Sequence, residues 1–222
     1  MGDNDLIPPE IRPGDGLFEE LYMLATRSNI RLMLDIGASS GEGSTAALVK
    51  GALDRLPGEG CDIYAIELAP ARYASLVARY KEHPFVHPMW GMAASDDQFA
   101  SEEEIKAFKG HSVPLEQVLG WRRADRSKIA HVAYAPSRVI ERVMQLAAIE
   151  AWDLVVIDGC EFSARGEMDL VYGARYIVLD DVRAFKNARN YARLLLDKRY
   201  GVHNERMDVR NGWAIFYRKD GV

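Results

Sequence analysis

Six short apolar runs recur along this 222-residue chain, at 31–36, 62–67, 86–90, 154–158, 176–180 and 213–217, with helical patterns in most of the intervals. That alternation predicts a parallel sheet covered by helices, because an apolar-striped helix must bury its stripe against a strand layer. Runs such as LVVI at 154–157 and YIVL at 176–179 carry no polar residue, as strands covered on both faces require. An additional edge strand is expected at 202–207, and helices at 16–26, 44–56, 70–82, 101–108, 137–150 and 184–198. Ser101 with Glu104 forms a capping-box signature, and Pro70 suits a first helical turn. Asn211-Gly212 before WAIFY is a hairpin-type turn signal. The expected class is α/β, with residues 1–222 in one domain of 48% apolar composition. The first sixteen residues hold three prolines and four acidic side chains and read as an extended lead-in. The interval 96–135 is too long for a plain connection. It reads as an insertion over the carboxyl ends of the strands, either shaping a substrate pocket or forming a packing or oligomer lobe.

Within this plan one segment points to a ligand. Leu34 to Thr45, LDIGASSGEGST, reads as strand, glycine turn and helix start. Gly37, Gly41 and Gly43 allow a tight turn and close approach of a ligand, and Ser44 or Thr45 opens a helix whose free N–H groups face it. The spacing Gly-x-x-x-Gly-x-Gly is not the dinucleotide pattern G-x-G-x-x-G, and no site for a second nucleotide is apparent, which argues against a nicotinamide-dependent oxidoreductase. Glu67 ends the second strand; its carboxylate can accept two hydrogen bonds from ribose hydroxyls or cap the next helix. Asp158 ends the fourth strand, and Asp180 with Asp181 ends the fifth. Three carboxylates at one sheet edge repel one another unless a cation, protons or donors compensate, and Mg²⁺ with its demand for oxygen ligands would suit them. They can also simply cap the helices that follow.

The glycine turn preceded by Asp35, the strand-end Glu67 and the IDG…LDD pair together resemble the class I S-adenosylmethionine-dependent methyltransferases, from about Leu17 to Phe216. The resemblance is to the metal-dependent catechol and sugar O-methyltransferases in particular. It implies a Rossmann-like, seven-stranded, mostly parallel sheet with helices on both faces and an antiparallel last strand. It implies S-adenosylmethionine as cofactor, met by Asp35, Gly37, Ala38, Ser39, Gly41, Ser44, Thr45, Glu67, Met92, Ala93 and Asp158. In that picture Glu67 holds the ribose and Met92 and Ala93 flank the adenine. Asp35 touches the amino-acid end directly, through water, or only by holding the turn. Asp158, Asp180 and Asp181 match the positions that bind Mg²⁺ or a similar ion in those enzymes, with Asp158, Glu161 and Asp181 as the catalytic set. Relatives often place His, or Lys, after the IDG; here Cys160 and Glu161 follow Gly159, which leaves the base open. Glu161 can serve as base, as a fourth carboxylate, or as a surface partner of Arg165. His111 and His131 are reserve candidates for the base, and Trp121, Tyr134 and Phe162 are candidates to stack on an acceptor.

The remaining composition narrows the partners. A net charge of −5 argues against a nucleic-acid binder, although Arg122, Arg123, Arg126 and Lys128 cluster and can meet an anion or simply solvate a face. No apolar run is long enough to span a bilayer, and no signal-like segment opens the chain. Cys61 and Cys160 read as buried thiols, as expected in a reducing cytoplasm. The expected activity is methyl transfer to a hydroxyl of a sugar- or glycan-like small molecule. A metal-independent methyltransferase of the same fold and a non-catalytic binding protein on this scaffold stand as alternatives, and a homo-oligomer is left open.

Overall fold

The computed structural model describes residues 9–132 and 135–219. In chain order the elements are α1 (Gly16–Ala25), β1 (Leu32–Ile36), α2 (Ser44–Leu53), β2 (Asp62–Glu67), α3 (Pro70–Tyr80), β3 (Val86–Trp90), α4 (Glu102–Ala107) and α5 (Leu115–His131). They continue with α6 (Val139–Leu146), β4 (Leu154–Ile157), α7 (Ala164–Val171), β5 (Tyr176–Asp180), α8 (Phe185–Leu196), β6 (Tyr200–Arg206) and β7 (Trp213–Arg218). The seven strands form one sheet in the order β3-β2-β1-β4-β5-β7-β6. Strands β1 to β5 pair in parallel, and β7 lies antiparallel to both β5 and β6. The chain moves outward from β1 through β2 and β3, then returns to set β4 on the other side of β1. That reversal opens a crevice at the carboxyl ends of β1 and β4, where ligands bind in open α/β sheets.

Strand side chains alternate between two cores. Met33, Ile63, Leu154, Val156 and Val178 face α1, α2 and α3, while Leu34, Ile36, Val155, Ile157, Ile177 and Leu179 face α6, α7 and α8. Both faces are therefore buried, which is why these strands read as unbroken apolar runs. A third cluster is separate: Phe99, Ile105, Val118 and Leu119 from the insertion pack on Phe162 and Phe185. The described part of the 96–135 insertion thus carries its own small core, seated on the segments that follow β4 and β5.

The helices begin or end up to four residues inside the sequence-based bounds, as frayed ends do. The Ser101–Glu104 capping box and the first-turn Pro70 are present. Two helices went unanticipated. In α5 only Val118 and Leu119 are buried, so it carries almost no apolar stripe. In α7, ARGEMDLV, charged residues obscure the period, and one of them, Glu167, is itself buried. The β6–β7 connection is longer than a two-residue hairpin, and Asn211-Gly212 forms only its final part, with Gly212 at φ 77°. The lead-in is tied down from Ile11, which is buried against the α1–α2 core; residues 1–8 lie outside the described part. No described helix is long and apolar enough to cross a membrane.

Candidate active site

The turn after β1 is shaped by contacts that only particular residues allow. Gly37 has φ 89°, and a Cβ there would lie 2.4 Å from the backbone carbonyl oxygen of Asp158, so the β1 and β4 ends approach each other only because Gly37 lacks a side chain. Gly37 and Ala38 both donate their N–H groups to the carbonyl of Ile66, pinning the turn to β2. Asp35 is fully buried. It accepts the hydroxyl of Ser44 at 2.9 Å and that of Thr45 at 2.5 Å. Burial pushes its carboxyl up to about 6, against the pull of the two hydroxyls. Asp35 therefore braces the turn against the first residues of α2. Glu67 accepts the N–H of Ser39 at 2.9 Å on one oxygen and that of Ala69 at 2.7 Å on the other. Each carboxylate oxygen has two lone-pair sites, so this orientation leaves acceptor capacity for further donors.

Above these residues lies a cavity of about 690 Å³. Gly37, Glu67, Met92, Ala93 and Asp158 line it; Asp35, Ala38, Ser39, Gly41, Ser44 and Thr45 do not, and build the turn behind it. Its far wall is the insertion, through Phe99 and the α5 residues Asp125, Lys128, Ile129 and His131. Glu167 also lines the cavity: Ser163 donates to one of its oxygens at 2.6 Å, the other has no partner among the described residues, and burial pushes its carboxyl up to about 7. No local pattern announces Glu167, because the charged residues of α7 obscure its helical period.

The three aspartates do converge. One oxygen each from Asp158, Asp180 and Asp181 lies within 4.8 Å of the others. The centre of the group, however, is held by a side chain that sequence reasoning missed. Lys186, in the first turn of α8, donates from Nζ to Asp158 at 2.5 Å and to Asp181 at 2.9 Å. Its side chain is 7% exposed, and the carboxylates hold its ammonium above the ordinary lysine range. Arg210 donates to Asp180 at 2.9 Å and to Asp15 at 3.0 Å, and Asn211 donates to Asp181 at 3.0 Å. Burial, then the neighbouring carboxylates, push Asp180 up to about 7. Each aspartate thus has a protein donor, and two of the three share one ammonium. A divalent ion does not fit among these oxygens while Lys186 is seated. One signal for Lys186 was available: a cation in the first turn opposes the helix dipole, so it needs an anionic partner nearby.

Of the three roles expected for Glu161, the surface pair with Arg165 is not formed. Its carboxylate accepts the backbone N–H of Lys186 at 3.2 Å, capping the start of α8, while Arg165 pairs instead with Glu104 at 2.6 Å. Burial raises the Glu161 carboxyl above its usual range. It lines a second, smaller cavity of about 280 Å³ with Phe99, Phe162, Phe185, Lys186 and Arg189. His111 points at the carbonyl of Ile105 (2.8 Å) and stacks beside Phe185; His131 lies at the rim of the larger cavity. Trp121 is half exposed and lines neither cavity, and Tyr134 lies outside the described residues. Of the basic cluster, Arg122 and Arg126 lie over Phe99, and Arg126 pairs with Asp96, tying α5 down. Cys160 and Cys61 are free thiols, and burial pushes Cys160 up to about 12, which leaves it inert as a nucleophile at neutral pH.

No protein-family pattern matches this sequence, and no curated protein matches it. Solved structures do. The O-methyltransferase from Bacillus cereus, in complex with SAH, is 14% identical with a TM-score of 0.56, over 96% of this chain and 84% of that one. The SAH-bound Podospora anserina methyltransferase PaMTH1 is 16% identical with a TM-score of 0.52, over 92% and 78%. A methyltransferase from Geobacter sulfurreducens is 11% identical with a TM-score of 0.52, over 90% and 77%. At such identities the likeness establishes architecture, and together with the sheet order and the antiparallel β7 it gives this chain the Rossmann-like methyltransferase fold.

Proposed function

We propose that the protein transfers a methyl group from S-adenosylmethionine to a hydroxyl of a small, sugar- or glycan-like acceptor. The observation that carries this reading is the pairing of Glu67 with the Gly37 turn on one wall of the larger cavity. A pre-oriented carboxylate one strand away from a glycine turn is the arrangement that receives an adenosine ribose. The SAH-bound Bacillus cereus and Podospora anserina structures of the same fold support it.

When bound, S-adenosylmethionine supplies an electrophilic methyl group on a sulfonium. Glu67 would hold the ribose hydroxyls, and Met92 and Ala93, which line the same cavity, would hold the adenine. The smaller cavity suits a polyhydroxylated acceptor, because Phe99, Phe162 and Phe185 offer ring surface while Glu161, Arg165 and Arg189 offer hydrogen-bonding groups. Glu161 is the base of this reading: its raised affinity for a proton and its place in that cavity suit removal of a hydroxyl proton. Asp158 and Asp181 act by fixing Lys186. No divalent ion enters this reading, since the ammonium already bridges two of the three carboxylates.

Calorimetric titration with S-adenosylmethionine and S-adenosylhomocysteine tests the reading. Wild type is expected to bind with a dissociation constant in the micromolar range, and Glu67→Ala to bind at least about tenfold more weakly, a loss of about 1.4 kcal/mol. Absence of binding by folded wild type overturns it.

A further inference from the structure

The acidic cluster at the ends of β4 and β5 poses a charge problem that the chain solves internally. Lys186 sits in the first turn of α8, where the helix dipole disfavours a cation, and its side chain is almost fully buried. Both features oppose an ammonium there unless the surrounding oxygens compensate. They do so closely, at 2.5 Å from Asp158 and 2.9 Å from Asp181. The remaining carboxylate, Asp180, is met by Arg210 at 2.9 Å. Asn211 adds a donor to Asp181 from the far side. One oxygen each of Asp158 and Asp180 and both oxygens of Asp181 are thus already donated to by protein groups.

We propose that Lys186 is a built-in substitute for a divalent cation, so that the three aspartates form a latent metal site closed by the chain's own ammonium. A dication entering between Asp158 and Asp181 would have to displace a buried like charge that both carboxylates already hold. The substitution also assigns Lys186 a positioning task, a point that rests on the methyltransferase reading above. An ammonium has three donors, and Asp158 and Asp181 take two. Lys186 also lines the smaller cavity, where its third donor can orient an acceptor oxygen as a metal ion would, without being displaced between turnovers.

The test is direct measurement of ion binding, with Mn²⁺ as a probe for electron paramagnetic resonance and Mg²⁺ for calorimetry. Wild type is expected to bind neither ion more tightly than about 1 mM, the weak end of protein carboxylate sites. Lys186→Met is expected to bind Mn²⁺ at least about tenfold more tightly than wild type, with a thermal midpoint that rises on adding the ion. Adding Asp158→Asn to that variant should abolish the gain. Lys186→Gln, which keeps a hydrogen-bonding group toward Asp158, repeats the comparison if the methionine variant does not fold. Tight Mn²⁺ binding by wild type overturns the proposal, as does a folded Lys186 variant that binds no better than wild type. These measurements use no S-adenosylmethionine, so their failure is separate from a failure of cofactor binding.

Discussion

At the scale of single residues, the site depends on positions where an added atom has nowhere to go. Gly37 and Gly58 make a controlled comparison. Both have φ near +90°, but a Cβ on Gly37 meets the Asp158 carbonyl at 2.4 Å, whereas one on Gly58 meets nothing within 4 Å. Gly58→Ala should therefore cost only the left-handed backbone penalty, about 1 kcal/mol. Gly37→Ala adds forced separation of the β1 and β4 ends and should cost about 3 kcal/mol in all. Denaturant unfolding of the two variants measures the difference, and equal costs would show that the close approach at Gly37 is not tight. The glycine turn was legible in the sequence because glycines at fixed spacing after an apolar run have a local meaning. Lys186 and Arg210 were not, because their roles depend on carboxylates five to thirty residues away that meet only when the sheet forms. Asp158, Asp180 and Asp181 could be placed at one edge from strand order alone, but what neutralises them could not.

At the scale of elements, the insertion behaves as a unit laid over the sheet. Its helices α4 and α5 are held by the Phe99–Ile105–Val118–Leu119 cluster on Phe162 and Phe185, and by Arg126 on Asp96, rather than by either main core. The Arg165 and Arg189 contacts to Glu104 are the cross-links from α7 and α8. Elements with few buried contacts open at lower free energy than the sheet they cover. Native-state hydrogen exchange should show α5 amides exchanging through an opening that leaves β1, β4 and β5 protected. Leu119→Ala, which removes a buried member of that cluster, should speed exchange in α4 and α5 by about tenfold or more while leaving the strands unchanged, as for loss of a small satellite contact of 1.4 kcal/mol or greater. Uniform acceleration throughout the chain would instead place α5 in the global folding unit. The same poverty of apolar contacts hides α5 from periodicity, while α2 and α3, which pack on the sheet, are legible nearly to their ends. Its capping-box neighbour α4 was legible because capping is chemistry of four consecutive residues.

At the scale of the whole molecule, Arg210 ties the two ends of the described chain to the centre. From the β6–β7 turn it reaches Asp15, which caps α1 by accepting the Leu17 N–H, and Asp180 at the end of β5. No local pattern could announce a link spanning 195 residues. Its energetic weight follows from the state of Asp180. Burial and the adjacent carboxylates push that carboxyl up to about 7, far above its unfolded range near 3.9. A raised folded pKa contributes stability in acid that is lost as pH rises through about 7. Removing Arg210 takes away the guanidinium that eases this ionisation, so the loss on going alkaline becomes steeper. Arg210→Ala should cost about 1 kcal/mol at pH 5.5, where Asp180 keeps its proton and the loss is that of its hydrogen bond and of the Asp15 pair. At pH 8.5 the cost should approach about 3 kcal/mol, the penalty of an uncompensated buried carboxylate. Adding Asp180→Asn should flatten that pH dependence, because no proton is then left to lose at the position. Urea unfolding of the three proteins at the two pH values measures it, and a cost for Arg210→Ala that is equal at both would mean that Asp180, in the intact fold, is already ionised in acid.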